Sequence, residues 1–321
     1  MPRHILSTDD LSQTEILQLS EPAAHSLRTY VGKRMALLFC STSTRTRLSF
    51  IQALEELRIS PVVLSPSELR LADDETLADT AVAVSTYVDL IGLRMLGGRG
   101  SSSRLRSEEA LLEFSEAAQK PLINMASDSA HPCQALADLK TIRERITPEQ
   151  KKRVVVSWAY SPQCLRPASI INDLVKVLPR AGYSLTLCHP PEFSLDDDTI
   201  RRARSGAQES GTEFEICSRP EQALADDTVV LYPRNWTTTR LSEHGIETEK
   251  SLHNKYSEWS FSQAQMSDLA PNAYFMHCLP VDRGFEAKNC LIDGASSLIR
   301  EQMLNRVPVQ ARLIDLLLKG A

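Results

Sequence analysis

The 321-residue chain contains no stretch of about 18 uncharged apolar residues, the length at which a segment reads as membrane-spanning. Its N-terminus, MPRHILSTDDLSQ, has no apolar core of signal-peptide length. The expectation is an intracellular, cytoplasmic protein with no membrane partner. The seven cysteines (Cys40, Cys133, Cys164, Cys188, Cys217, Cys278 and Cys290) form no C-x-x-C pair and are odd in number, which argues against a disulfide framework or a zinc site and for reduced thiols. Neither a G-x-G-x-x-G turn nor a P-loop occurs, so a nucleotide-dependent α/β enzyme would be without its phosphate turn. A basic excess is missing too. The net charge of -5 offers no field for nucleic acid or another polyanion. No internal repeat or low-complexity tract is visible.

What is present is a sizeable core in the making, with 42% hydrophobic residues over a length that suits two domains. Short β-rich runs alternate with helical segments: 35–39, 61–64, 88–93 and 121–124 in the first half, then 154–158, 183–188, 228–232 and 273–277. That alternation predicts an α/β protein of two domains, each a parallel sheet flanked by helices. Between the halves, Pro132 suits a first helical turn, and Leu136, Leu139, Ile142 and Ile146 repeat every three to four residues. A helix over 131–147 is expected to join the domains. The segment REQMLNRVPVQARLIDLLL reads as a C-terminal helix interrupted near Pro308.

The stretch FCSTSTRTRLSF, residues 39–50, places Arg45 and Arg47 where a helix should begin, because Leu48, Ile51, Leu54 and Leu57 keep helical spacing after a hydroxyl-rich turn. Cations oppose the macrodipole at that end by ~0.3–1 kcal/mol. One reading is an N-cap serine followed by solvated arginines. The other is a small phosphate, which would take free backbone N–H groups, hydroxyls and a guanidinium together. Two further stretches carry polar groups at places a ligand would reach: His131-Pro132-Cys133-Gln134 opens the linking helix, and His277-Cys278-Leu279-Pro280 follows a strand. Taken alone, each histidine is equally well a structural one.

The three stretches, Ser43-Thr44-Arg45-Thr46-Arg47, His131 to Gln134 and His277 to Pro280, in this order and separation, resemble the aspartate/ornithine carbamoyltransferase family across essentially the whole chain. Asp79-Thr80-Ala81, Tyr87 to Arg94, and Asn305-Arg306 add to the likeness. The resemblance implies a carbamoyl-phosphate-binding domain over 1–130, joined by helix 131–147 and completed by a C-terminal helix over 300–321, and an amine-acceptor-binding domain over 148–299. It further implies a homotrimer with sites at subunit interfaces, and no metal or cofactor. On the family pattern Ser43, Thr44, Arg45 and Thr46 cradle the phosphate, and Arg94 and His131 reach the carbonyl. Gln134, Leu279 and Arg306 orient the carbamoyl amide, with Cys278 a packed thiol beside the substrate. Thr46, Arg94, His131 and Cys278 are the catalytic candidates.

The acceptor is read from the second half. Ornithine enzymes carry an Asp and a Ser-Met-Gly loop there, whereas this chain has Val230 to Arg234, then Asn235 and Trp236. That stretch resembles the N-acetylornithine and N-succinylornithine branch, as do Trp158 to Pro162, Leu165 and Asn172. Asn172, Arg234, Trp236, Cys278, Asp282 and Arg283 are the acceptor candidates; for Arg234 and Trp236 a solvated arginine and a packing indole are the competing reading. Asp282 departs from that branch, which tends to have a basic residue there. An acid at this position could repel a substrate carboxylate, pair with Arg283 or pair with an acceptor amine. The segment from Ser65 to Asp74, expected to help close a neighbouring site, is shorter than in acetylornithine enzymes. The expected reaction is carbamoyl transfer from carbamoyl phosphate to the side-chain amine of an N-acyl-L-ornithine. A free diamine acid as acceptor, or a catalytically silent binding protein, are the alternatives.

Overall fold

The structure, a computed structural model, describes residues 2–23, 27–69, 75–97, 104–146 and 152–319. The end of the Ser65 loop, 70–74, and the residues after the linking helix, 147–151, lie outside it. The chain divides into two compact units, Met1–Ala137 with Leu304–Ala321, and Asp138–Met303.

In the first unit the order is β1 (His4–Ile5), α1 (Gln13–Leu19), β2 (Arg34–Phe39), α2 (Thr44–Glu56), β3 (Ser60–Leu64), α3 (Leu77–Tyr87), β4 (Leu90–Met95), α4 (Arg104–Ala117) and β5 (Leu122–Ser127), leading into α5 (Pro132–Arg145). The second unit follows with β6 (Arg153–Trp158), α6 (Ser169–Arg180), β7 (Ser184–Cys188), α7 (Asp197–Ser210), β8 (Phe214–Cys217), β9 (Thr228–Arg234), α8 (Leu241–Lys255), α9 (Gln263–Leu269), β10 (Tyr274–Phe275) and α10 (Asn289–Ile292). A last helix, α11 (Ile299–Lys319), begins there and returns to the first unit.

Each unit holds one five-stranded, all-parallel sheet, ordered β1-β5-β4-β2-β3 and β10-β9-β6-β7-β8. Met35 to Leu38 of β2 and Val154 to Val156 of β6 are completely buried, as central parallel strands covered on both faces require. The pattern-based strands are all present. Two more, β1 and β8, are edge strands: β1 has only two residues, and β8 interleaves the exposed Glu215 and Ile216 with Phe214 and Cys217, so neither shows a buried-strand pattern.

β10 is shorter than expected because the His277 N–H turns to the Oε1 of Gln302, 2.9 Å away, and so leaves the ladder. α11 runs unbroken through Pro308, contrary to the interruption read from sequence. Val307, Val309, Ala311, Leu313 and Ile314 around that proline are all buried. Packing of the apolar face outweighs the local cost of the missing N–H.

Candidate active site

In the first sheet the chain steps from β2 outward to β3, then crosses back to lay β4 against the other side of β2. The carboxyl ends of β2 and β4 are therefore a topological switch point, where open α/β sheets bind ligands. The hydroxyl-rich turn leaves one of these ends, and Arg94 lies on the other. A bulge between Leu93 and Arg94 breaks the register with β5, a device that re-aims a side chain.

The turn after β2 caps α2. The Oγ of Ser43 accepts the N–H of Thr46 at 3.3 Å, and no acid occupies the first turn. Arg45 is half-buried and Thr46 buried, while Arg47 is exposed, with its guanidinium 5.8 Å from the centre of the Phe39 ring. Arg47 therefore braces the loop. From α11, Arg306 ties the site together: its Nη2 donates to Thr46 Oγ1 at 2.9 Å, its Nε to Ser49 Oγ at 3.3 Å, and its Nη1 to Gln134 Oε1.

The cations here oppose one another. Burial, then Arg306 and Arg45, bring the Arg94 guanidinium down to about 10. The same conditions, burial first and then Arg306, Arg94 and Arg45, push His131 well below the usual histidine range. Three guanidiniums beside a neutral imidazole at a helix N-terminus are the groups that a small dianion joined to a polarisable oxygen would call for.

The second sheet repeats the topology. From β6 the chain steps outward through β7 to β8, then crosses back to β9 and β10, so the switch point lies between β6 and β9. Arg166 sits in the loop after β6, Arg234 ends β9, and Cys278 to Asp282 follow β10. Both arginines are buried and both donate to the carbonyl of Pro280, Arg234 at 2.8 Å.

Glu286, completely buried, organises them. Its Oε1 accepts the N–H of Asn235 at 2.8 Å, and its Oε2 accepts the N–H of Asp282 at 2.7 Å and lies 3.2 Å from Arg166 Nη1. Burial works against its ionisation, but His277, Arg234 and Arg166 outweigh that and hold its carboxyl at about 2. The Nδ1 of His277 accepts the N–H of Leu279 at 2.9 Å, so its Nε2 carries the proton offered to Glu286 Oε1 at 3.3 Å. These bonds fix Leu279 at φ 55, a conformation rare for a bulky non-glycine residue and common at functional sites. Burial pushes the Cys278 thiol up, which fits a packing and hydrogen-bonding role better than a nucleophilic one.

The acceptor candidates take different places in the fold. Trp236 is completely enclosed, with its indole N–H donated to the carbonyl of Phe193 at 2.8 Å; it packs the core beneath the loop. Arg283 is exposed and forms a bidentate pair with Asp293 at 2.6 and 2.8 Å. It does not meet Asp282, whose Oδ1 lies 2.9 Å from Arg166 Nη2 and whose Oδ2 accepts the hydroxyl of Ser161. Arg234 is not solvated, and Asn172 lies buried in the first turn of α6. Sequence reading missed Arg166 and Glu286. The signal for Arg166 was an arginine after a strand at the switch point, usable only once strand order is known; Glu286 carried none.

Comparison with known proteins gives this geometry its place. Residues 3–144 match the family described as aspartate/ornithine carbamoyltransferase, carbamoyl-P binding domain, and residues 166–317 match its Asp/Orn binding domain. The chain belongs to the aspartate/ornithine carbamoyltransferase family. This carbamoyltransferase is 32% identical to the ornithine carbamoyltransferase of Hyperthermus butylicus, over 98% of this chain and 97% of the relative. It is 30% identical to the N-acetylornithine carbamoyltransferase of Xanthomonas campestris, over 97% and 96%. Among solved structures, acetylornithine transcarbamylase complexed with acetylcitrulline superposes with a TM-score of 0.89 at 28% identity, covering 98% of each chain. A mutant N-acetyl-L-ornithine transcarbamylase complexed with carbamyl phosphate and N-succinyl-L-norvaline gives 0.88 at 29% identity, covering 98% and 99%.

Proposed function

We propose that this carbamoyltransferase moves the carbamoyl group of carbamoyl phosphate to the side-chain amine of an N-acyl-L-ornithine, giving the N-acylcitrulline and phosphate. The observation that carries the acceptor assignment is the engagement of Asp282. Both its oxygens are taken, by Arg166 and Ser161, so it is not held ready for a substrate ammonium, and β9 ends in Arg234 where a free α-amino group would call for an acid. An N-acyl acceptor has no such ammonium. The complexes of the two structural relatives with acetylcitrulline and N-succinyl-L-norvaline support the same choice.

In the reaction the neutral amine attacks the carbonyl carbon, an oxyanion develops, the carbon–oxygen bond to phosphate breaks, and the leaving phosphate takes the amine proton. Ser43, Thr44, Arg45 and Thr46 hold the phosphate. Arg94 and the neutral His131 donate to the carbonyl oxygen as its charge grows, which lowers the barrier through preplaced donors. Gln134 and Arg306 orient the carbamoyl amide, Gln134 through an oxygen already positioned by Arg306.

The same reading places the enzyme in arginine formation in the cytoplasm as a homotrimer. Exposed Leu48 on α2 and Val82 and Tyr87 on α3 support a covering partner, and no described helix is long and apolar enough to cross a membrane. The test supplies carbamoyl phosphate with N-acetylornithine, N-succinylornithine, ornithine and 2,3-diaminopropionate, and measures ureido product. Turnover of a free diamine in preference to both N-acyl compounds refutes the assignment. No ureido product with any acceptor, and no phosphate release above the enzyme-free rate, would mark a silent family member.

A further inference from the structure

The charges around Arg166 and Arg234 cancel. Asp282 lies 2.9 Å from Arg166 and Glu286 lies 3.2 Å from Arg166 and 3.9 Å from Arg234. All four side chains are at most 15% exposed, and His277 between them is kept neutral by burial. Glu286 is committed to the backbone of Asn235 and Asp282, so it serves the loop. Asp282 is different: it sits at the rim, more exposed than its partners, and its Ser161 bond ties it to the loop after β6. Two acids answer the two cations.

An acceptor bound here brings its own α-carboxylate. That one charge can share the guanidiniums. A second carboxylate on the same ligand, placed beside Asp282, would enter a desolvated place where the two described cations, Arg166 and Arg234, already have acidic partners, and a buried charge facing an acid is strongly disfavoured. Discrimination by such a repulsive element is a common route to specificity.

We propose that Asp282 restricts this carbamoyltransferase to acceptors whose N-acyl group is uncharged, N-acetyl in preference to N-succinyl. The inference rests on the N-acyl-ornithine reading and names its substrate class.

The experiment uses N-acetyl-L-norvaline and N-succinyl-L-norvaline, which lack the reacting amine, and measures their binding by calorimetry to full-length enzyme saturated with carbamoyl phosphate. The wild type should bind the acetyl ligand at least about tenfold more tightly. Asp282→Asn keeps the shape and one acceptor oxygen for Arg166, leaves Ser161 to turn its hydroxyl and accept from the new amide, and removes the charge; it should bring the ratio towards one. Asp282→Ser serves the same purpose should the amide variant fold poorly. Equal binding of the two ligands by the wild type, tighter binding of the succinyl ligand, or a ratio unchanged in a folded Asp282 variant overturns the proposal alone. Binding of neither ligand by an enzyme that carbamoylates free ornithine overturns the N-acyl reading, and this inference with it.

Discussion

A guanidinium gives up its proton so reluctantly that holding Arg94 at about 10 measures how strongly burial, Arg306 and Arg45 oppose its charge. A bound phosphate reverses that balance for all three arginines at once. Arg45→Ala should therefore weaken carbamoyl phosphate by ~1.5–3 kcal/mol, the range for hydrogen bonds to charged groups, and calorimetry reads the loss directly; unchanged affinity would assign Arg45 to structure. His131→Ala should depress kcat more than affinity, because a neutral imidazole donor meets charge that exists mainly in the transition state. His131 stays neutral over the working range, so the acid limb of kcat/KM for the acceptor belongs to the acceptor amine and should rise with pH towards its pKa. A flat profile from about pH 6.5 to 9.5, with chemistry limiting, contradicts attack by the free amine. The phosphate half of this site was legible because its parts are local: Ser43 to Arg47 sit in one helical turn whose start the leucine spacing marks. The acceptor half was not. Trp236 beside Arg234 looks like a ligand platform in sequence, yet nothing local says that its ring points into the core and its N–H ends on Phe193.

Elements follow the same division between local and distant causes. The eight strands that were legible in the pattern are the ones with an apolar run, and for the central β2 and β6 burial on both faces explains it, whereas β8 at the edge needs only its pairing with β7. Pro308 shows how far tertiary packing overrides propensity, since α11 carries it through without a break. A proline in a helix interior costs about 3 kcal/mol, offset by about 1 kcal/mol from a stiffer unfolded chain. Pro308→Ala should thus stabilise the protein by about 1–2 kcal/mol, seen as a higher urea midpoint at constant slope. A lower midpoint would mean that the buried neighbours of Pro308 require a bend that alanine does not impose. The loop from His277 to Glu286 is the opposite case, a segment with almost no regular structure held by one buried carboxylate. Glu286→Gln leaves Arg166 and Arg234 without their charge partner and should cost about 3–5 kcal/mol, the usual loss when a buried pair is broken.

For the whole molecule, the buried ionisable groups set how it meets acid. His131, His189, His253 and His277 are all pushed down by burial, so each is neutral when folded and takes a proton more readily when unfolded. The unfolded chain then binds more protons once pH drops below about 6.5, and stability must fall with pH from that point. Carboxylates add a second window. Glu286 and Glu15 are both held at about 2 against an ordinary 4.5; for the buried Glu286 that difference is on the order of 3 kcal/mol, present above pH 4.5 and lost progressively below it. Glu15 is more open to water, where its pairing with Arg3 is screened. Urea midpoints should accordingly be level from about pH 8 to 7, decline below about 6.5 as the histidines charge in the unfolded state, and decline again below about 4.5. Glu286→Gln should flatten the second decline while leaving the first. Midpoints that stay level down to pH 5 would show that these imidazoles are not held neutral by the fold, and with that the electrically neutral donor assigned to His131 would lose its basis.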